Sequence, residues 1–222
     1  MNKLFLLMLA RSKKLRLPTI YRLKPAFQNL LRPLVRSLVG IGATANQVTI
    51  AAAVISIAAG IVIYFYREIQ FVYFLLPAVF FVRMALNAID GMLAREFNMK
   101  SNLGAILNEL GDVISDAALY LPFALIFSGY NSYLIVFVTF LAVISEMTGV
   151  VAVQIGSSRR YDGPMGKSDR AFVFGLLAFF MGFGMHNAAW FPKNLFYALV
   201  LVALLLAVTI YNRIINALQE AR

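Results

Sequence analysis

NAIDGMLAREFNMKSNLGAILNELGDVISD, residues 87–116, places Asn87, Asp90, Asn108, Asp112 and Asp116 inside or beside two long apolar runs. Carboxylates in hydrocarbon are expensive, so they face a cavity, a metal or a partner and mark function. Here they recur at helical spacing. Asn87 and Asp90 are three apart, and Asn108, Asp112 and Asp116 are four apart. That spacing stacks each set on one face of its helix. The stretch predicts two membrane helices that bring oxygen ligands together near the membrane surface.

The sequence on either side is equally apolar. The chain has 222 residues, 61% of them hydrophobic, and a mean hydropathy of +0.79. Soluble globular domains are about 45–50% apolar. The composition predicts an all-α integral membrane protein. Six apolar runs, at about 48–66, 69–90, 103–127, 131–154, 171–188 and 194–212, are long enough to be transmembrane helices, which need roughly 17–25 residues. Thr44 and Gln47 have capping-box spacing before the first run, and Ser101 is placed to cap the third. No polar linker, low-complexity stretch or internal repeat divides the chain. Residues 1–222 therefore read as one domain, with 1–46 an N-terminal segment and 47–222 a six-span bundle.

Residues 19–38 follow a different pattern. Leu23, Phe27, Leu30, Leu31, Leu34 and Leu38 share one face, with Arg22, Lys24, Arg32 and Arg36 largely off it. This predicts an interfacial amphipathic helix before the first span, shortened or bent by Pro25 and Pro33. Residues 2–10 have an apolar core at the short limit for a signal peptide, followed directly by basic residues, and do not read as a cleaved leader.

Basic residues set the orientation. Nine precede Gly40, and Arg95, Lys100, Arg159, Arg160, Lys167, Arg170, Arg213 and Arg222 fall on the same side of a six-span bundle. The other side holds Arg67 and Lys193. The N-terminus and the Asn87–Asp112 region are expected in the cytoplasm, in an inner or plasma membrane. The net charge of +10 follows these boundaries. Contact with membrane lipids and phosphate-bearing substrates explains it, and no nucleic-acid partner is expected.

The chain has no cysteine, which excludes thiolate catalysis and cysteine metal sites. Its one histidine, His186, makes no histidine-rich centre. Any metal must take mainly oxygen ligands, which points to Mg²⁺, Mn²⁺ or Ca²⁺. His186, Trp190 and Tyr197 are expected in an aromatic belt at the far interface.

From Asp90 to Asp112 the chain reads D-G-x-x-A-R, eight residues, G, seven residues, D. At about 5–8% usage per residue type, six fixed matches arise by chance in such a chain roughly once in 10⁵. The pattern resembles that of the CDP-alcohol phosphotransferase (phosphatidyltransferase) family, D-x-x-D-G-x-x-A-R-x8-G-x3-D-x3-D. Asp90, Gly91, Ala94, Arg95, Gly104 and Asp112 match with every spacing kept. Six spans behind an amphipathic helix fit as well. The resemblance implies a two-metal site of Mg²⁺ or Mn²⁺ among four motif positions, Asn87, Asp90, Asn108 and Asp112 here. It implies that Asp112 is the base that deprotonates an acceptor hydroxyl. It also implies a CDP-lipid donor, most simply CDP-diacylglycerol, and a homodimer.

The chemistry also reads from the residues themselves. Carboxylates holding divalent ions against a pyrophosphate would cancel phosphate charge. Gly91, Ala94 and Gly104 leave room for a base or phosphate beside the backbone. Arg95 is an always-charged phosphate donor. The chain departs from the family pattern at Asn87 and Asn108, which leaves two carboxylates in four positions. Two neighbours can compensate, Glu109, three before Asp112, and Asp116, one turn deeper. Asp116 is the favoured one, read either as an added ligand or supporting group or as the partner of a buried cation. Arg83 is a candidate cation, with Asp116 or Glu146 as its partner. The loop RRYDGPMGKSDR carries Arg159, Arg160, Lys167 and Arg170. Arg159, Lys167 and Arg170 are candidates for an acceptor phosphate, beside the plainer reading of positive-inside bias.

The expected activity is phosphatidyl transfer from CDP-diacylglycerol, or a related CDP-alcohol, to a small alcohol or alcohol phosphate, with release of CMP. Two rival readings are a CDP-lipid-binding relative with an impaired site, and a proton or ion transporter using Asp112, Asp116, Glu146 and Arg83 as a relay.

Overall fold

The computed structural model describes residues 24–221. The described residues hold seven α-helices: α1 (Lys24–Gly40), α2 (Ala45–Tyr66), α3 (Leu75–Glu96), α4 (Asn102–Ile126), α5 (Tyr130–Val151), α6 (Lys167–Gly182) and α7 (Phe191–Glu220). Short 3₁₀ turns at Gln70–Phe74, Ala152–Ile155 and Met185–Asn187 join them. Both expected caps are present. Thr44 Oγ1 accepts from Gln47 N at 3.3 Å, and Gln47 Oε1 accepts from Thr44 N at 2.9 Å. Ser101 Oγ accepts from Gly104 N at 2.9 Å.

The protein is an integral membrane protein. Four segments, Ala45–Tyr66, Gln70–Glu96, Tyr130–Ile155 and Phe191–Glu220, are long and apolar enough to cross a membrane by length and composition. The other two expected spans differ for visible reasons. α4 carries Glu109, Asp112 and Asp116 along its length. The helix expected over 171–188 starts earlier, at Lys167, and stops at Gly182. Gly184, at φ +76°, turns the chain there. The 16-residue helix α6 is about 24 Å long, short of a hydrocarbon core of about 30 Å. The last helix runs to Glu220, beyond the expected end at 212.

α2 packs against α3 and α4, α4 against α5, α5 against α7, and α3 against α6. The tightest approach joins α2 to α4. Pro122 lies inside α4 and has no N–H for the carbonyl of Ala118. That carbonyl faces Gly60, where any Cβ would overlap it. In the core Tyr120 stacks on Phe174 with ring centroids 4.1 Å apart, and the Phe80 ring lies tilted to Tyr120 at 5.9 Å. Large apolar side chains such as Phe65, Phe137, Phe140 and Leu204 stay exposed, as membrane-facing positions do.

α1 lies against α3. Its inward residue is Val35, with Leu31 and Leu38 packed beside it and Phe27 against Phe81 at 5.9 Å. Leu30 and Leu34, expected on the same face, are exposed. The buried line is rotated because α3 offers its apolar surface at Ile89, Met92 and Leu93. Arg32 pairs with Glu96 at 2.6 Å. Leu23, Arg22, the 2–10 stretch and Arg222 lie outside the described residues.

Candidate active site

Helices α3 and α4 are joined by residues 97–101, where Asn98 takes φ +58°. This short reversal puts the i, i+3 face of α3 and the i, i+4 face of α4 at one level. Thr49 of α2 marks where they meet. Its hydroxyl donates to Asp90 Oδ2 at 2.8 Å and to the Ala45 carbonyl at 3.1 Å. A Cβ built on Gly111 would lie 3.8 Å from the Thr49 methyl, so the residue before Asp112 faces the residue that holds Asp90. Asp90 and Asp112 are both buried.

Behind them runs a continuous chain of ion pairs. Lys167 Nζ lies 2.7 and 2.6 Å from the two oxygens of Asp112. Arg83 lies 3.6 Å from Asp112 Oδ1 and donates to the Asp112 carbonyl at 3.1 Å. Arg83 is also 2.7 Å from Asp116 Oδ1, a coulombic contact in which neither atom meets hydrogen-bond geometry. Arg170 donates twice to Asp116 Oδ2, at 2.7 and 3.2 Å, and once to Glu146 Oε1, at 3.0 Å. Arg159 and Arg213 approach Glu146 Oε2 at 3.1 and 3.4 Å. Arg159 also grips Glu109 Oε2 at 2.6 Å and lies over the Tyr161 ring. Burial opposes the charge on Arg159 most strongly, but the Glu109 hydrogen bond and the nearby charges of Glu109 and Glu146 together hold the guanidinium above its ordinary pKa.

Glu109, Asp112, Asp116 and Glu146 thus face Arg83, Arg159, Lys167, Arg170 and Arg213. Buried charges are tolerated when paired in this way. The chain ties α3, α4, α5, α6 and α7 together at one level. A latch secures its outer end. Glu220, at the end of α7, accepts from Ser158 N at 3.1 Å and pairs with Arg160, which also holds Asp162 at 2.7 Å. Gly166 N donates to Asp169 Oδ2 at 3.0 Å, which fixes the start of α6 one residue before Lys167.

Arg95, in the last turn of α3, is exposed. Its guanidinium folds back over Gly91, where a Cβ would lie 3.0 Å from Nη2. A Cβ at Gly104 would meet Asn46 Oδ1 at 2.6 Å. The two glycines therefore make room for Arg95 and for Asn46, while Ala94 is part-buried beside the α1 contact.

The expected residues are thus placed as follows. Asp90 is held by Thr49, which lies beside Gly111 and so next to Asp112 in the chain. Asn87 and Asn108 lie one turn before Asp90 and Asp112 on their helices. Asp116 is the partner of two arginines. Arg83 takes Asp116 and not Glu146, which is shared by Arg159, Arg170 and Arg213. Arg159, Lys167 and Arg170, candidates for an acceptor phosphate, each close on a carboxylate. Glu109, a candidate to make up the missing carboxylate charge, is instead held by Arg159. Thr49 and Arg213 carry no sequence signal that marks them as site residues. Arg213 follows an apolar run and is counted as an ordinary boundary charge, yet it is buried. Its distance in sequence from Glu146 hides the pairing.

Among the described residues no three acidic, histidine or cysteine side chains gather as a metal set. The donors present do suit one divalent ion. Asp90 takes one side-chain hydrogen bond, to one oxygen. The Asn87 amide, three residues away, has its Nδ2 buried without an acceptor. Turned over, the amide presents an oxygen there with no donor, which suits a hard cation. Asp112 is different, because both its oxygens face Lys167.

The family model for CDP-alcohol phosphatidyltransferase matches residues 43–211. Inner membrane protein YnbA of Escherichia coli (strain K12) is 49% identical over 158 residues, 71% of this chain and 78% of that protein. The crystal structure of Mycobacterium tuberculosis phosphatidylinositol phosphate synthase (PgsA1) with CDP-DAG bound aligns with a TM-score of 0.61 at 22% identity, over 85% of this chain and 92% of that one. The same enzyme in complex with manganese and citrate gives 0.62 at 21% identity, over 85% and 88%. The two crystal structures share the fold. With the family match spanning most of the chain and a relative this similar, the protein belongs to the CDP-alcohol phosphatidyltransferase family.

Proposed function

We propose that this protein moves a phosphatidyl group from CDP-diacylglycerol, or a related CDP-alcohol, to a hydroxyl of a small alcohol or alcohol phosphate and releases CMP. The observation that supports the reading is that Thr49 of α2 holds Asp90 and lies beside Gly111, the neighbour of Asp112, with Arg95 exposed in the last turn of α3. Helices α4 and α6 cross with the four long helices to make six spans. α1 lies at the interface, and the N-terminus and the site face the cytoplasm of an inner membrane. The bundle works as a homodimer.

Arg95 takes the donor's phosphates, with Gly91 leaving room for its guanidinium and Gly104 for the Asn46 side chain beside it. Asp90, with the amide oxygens of Asn87 and Asn108, would hold Mg²⁺ or Mn²⁺. When bound, the ion supplies charge neutralisation at the pyrophosphate and at the departing CMP. Asp112 takes the proton from the acceptor hydroxyl. The acceptor oxygen forms a bond to the phosphatidyl phosphorus, and the bond from that phosphorus to the CMP oxygen breaks. Lys167 holds Asp112 in place through both its oxygens. Acceptor entry parts the two and frees Asp112 to face the hydroxyl. Arg159 and Arg170 hold the walls of this space through Glu109, Asp116 and Glu146. An acceptor phosphate would compete with Glu109 for Arg159.

The closed Asp112–Lys167 pair also favours a second reading, a CDP-lipid-binding relative that does not turn over. Asp112→Asn separates the two. The expected result is loss of CMP release with CDP-diacylglycerol binding kept. Unchanged CMP release in the variant would overturn Asp112 as base. A wild-type protein that binds the lipid and releases no CMP with any acceptor would support the second reading.

A further inference from the structure

We infer that Lys167 stands in the place of one of the two divalent ions of the four-aspartate pattern, so that this chain holds a single Mg²⁺ or Mn²⁺. The inference rests on the function proposed above and deepens it. Its first support is the Lys167 ammonium, 2.6 and 2.7 Å from both oxygens of Asp112. A cation there does for Asp112 what a second ion would do. The position is built, since the Gly166–Asp169 hydrogen bond at 3.0 Å sets the first turn of α6 and Lys167 opens it.

The second support is charge. Four motif positions carry two carboxylates, Asp90 and Asp112. Asp116 adds none, because Arg83 and Arg170 already hold it. Glu109 adds none, because Arg159 holds both its oxygens. With Lys167 set against Asp112, one carboxylate, Asp90, is left for an ion. A second divalent ion would enter a space that already faces Lys167 and Arg83, with no described carboxylate left for it. The third support is the kind of donor that spacing puts beside the two carboxylates, Asn87 three before Asp90 and Asn108 four before Asp112. The amides of Asn87 and Asn108 can complete a coordination sphere but bring no charge.

The test counts ions rather than turnover. Protein in nanodiscs with CDP-diacylglycerol is titrated with Mn²⁺ and followed by electron paramagnetic resonance. The expected wild-type result is one Mn²⁺ per chain, with the spectrum of an isolated ion. Lys167→Met is expected to admit a second, weaker ion. Asn87→Asp with Asn108→Asp in that background is expected to bind two ions, at least tenfold more tightly, as a spin-coupled pair. Lys167→Arg keeps the charge and is expected to stay at one. Two coupled ions in the wild type would overturn the inference and leave the transferase reading standing. No ion, with CDP-diacylglycerol still bound, would also overturn it. No ion and no lipid binding would overturn both. A Lys167→Met protein that stays at one ion would remove Lys167 from the role. Should that variant not fold, the wild-type count still decides.

Discussion

Arg170→Met removes the guanidinium at the centre of the buried ion chain. Arg170 is fully buried and gives Asp116 Oδ2 its two hydrogen bonds, at 2.7 and 3.2 Å. Glu146 loses one bond at 3.0 Å but keeps Arg159 at 3.1 Å and Arg213 at 3.4 Å, so it is not stranded. Asp116 keeps Arg83 at 2.7 Å only as a coulombic contact. Ser145 and the Met165 carbonyl lose weaker bonds at 3.4 and 3.3 Å. Breaking a buried pair from one side costs about 3–5 kcal/mol. One carboxylate is left short of hydrogen bonds, not two, so the low end applies, about 3 kcal/mol. At about 2–4 °C per kcal/mol for a chain of this size, the thermal midpoint should fall by roughly 6–12 °C. The assay heats the protein in nanodiscs and measures the fraction that stays monodisperse by size exclusion. Adding Asp116→Asn takes away the carboxylate left short of hydrogen bonds, so this second change should cost less beside Arg170→Met than it does alone. A single variant within about 2 °C of wild type would refute the reasoning. So would a double variant whose loss is the sum of the two single losses.

Other perturbations read separate parts of the structure. Gly60→Leu should separate α2 from α4 at the Ala118 carbonyl and cost about 1–3 kcal/mol, seen as a lower midpoint in the same heating assay. Thr49→Val removes the one side-chain hydrogen bond to Asp90 and should lower stability by about 1 kcal/mol. It should also weaken Mn²⁺ binding in the titration. Arg95→Met touches an exposed guanidinium with no described carboxylate partner. The midpoint should stay within about 0.5 kcal/mol of wild type, while half-saturation for CDP-diacylglycerol rises.

The helices and the site were legible in the sequence to different depths. Apolar runs with Thr44–Gln47 and Ser101 at their starts place α2 and α4 within a few residues, because caps and hydropathy are local signals. The spacing of Asp90 and Asp112 locates the site for the same reason. Three features depend on partners far along the chain. α6 begins at Lys167 because Asp169 caps it and Asp112 receives its lysine, so two cations expected in a loop or at its mouth sit inside a helix. The buried face of α1 is set by Ile89, Met92 and Leu93 of α3. Glu146 collects three arginines from residues 159–213. Spacing within one helix gives no hint of those contacts.

Release of CMP tests the central claim most directly. Purified protein in nanodiscs is given CDP-diacylglycerol with a panel of alcohols and alcohol phosphates, with Mg²⁺ or Mn²⁺ and again with EDTA. The expected result is CMP that needs the divalent ion and one acceptor. No CMP with any acceptor, while CDP-diacylglycerol stays bound, would contradict a transferase and leave a lipid-binding member of the family.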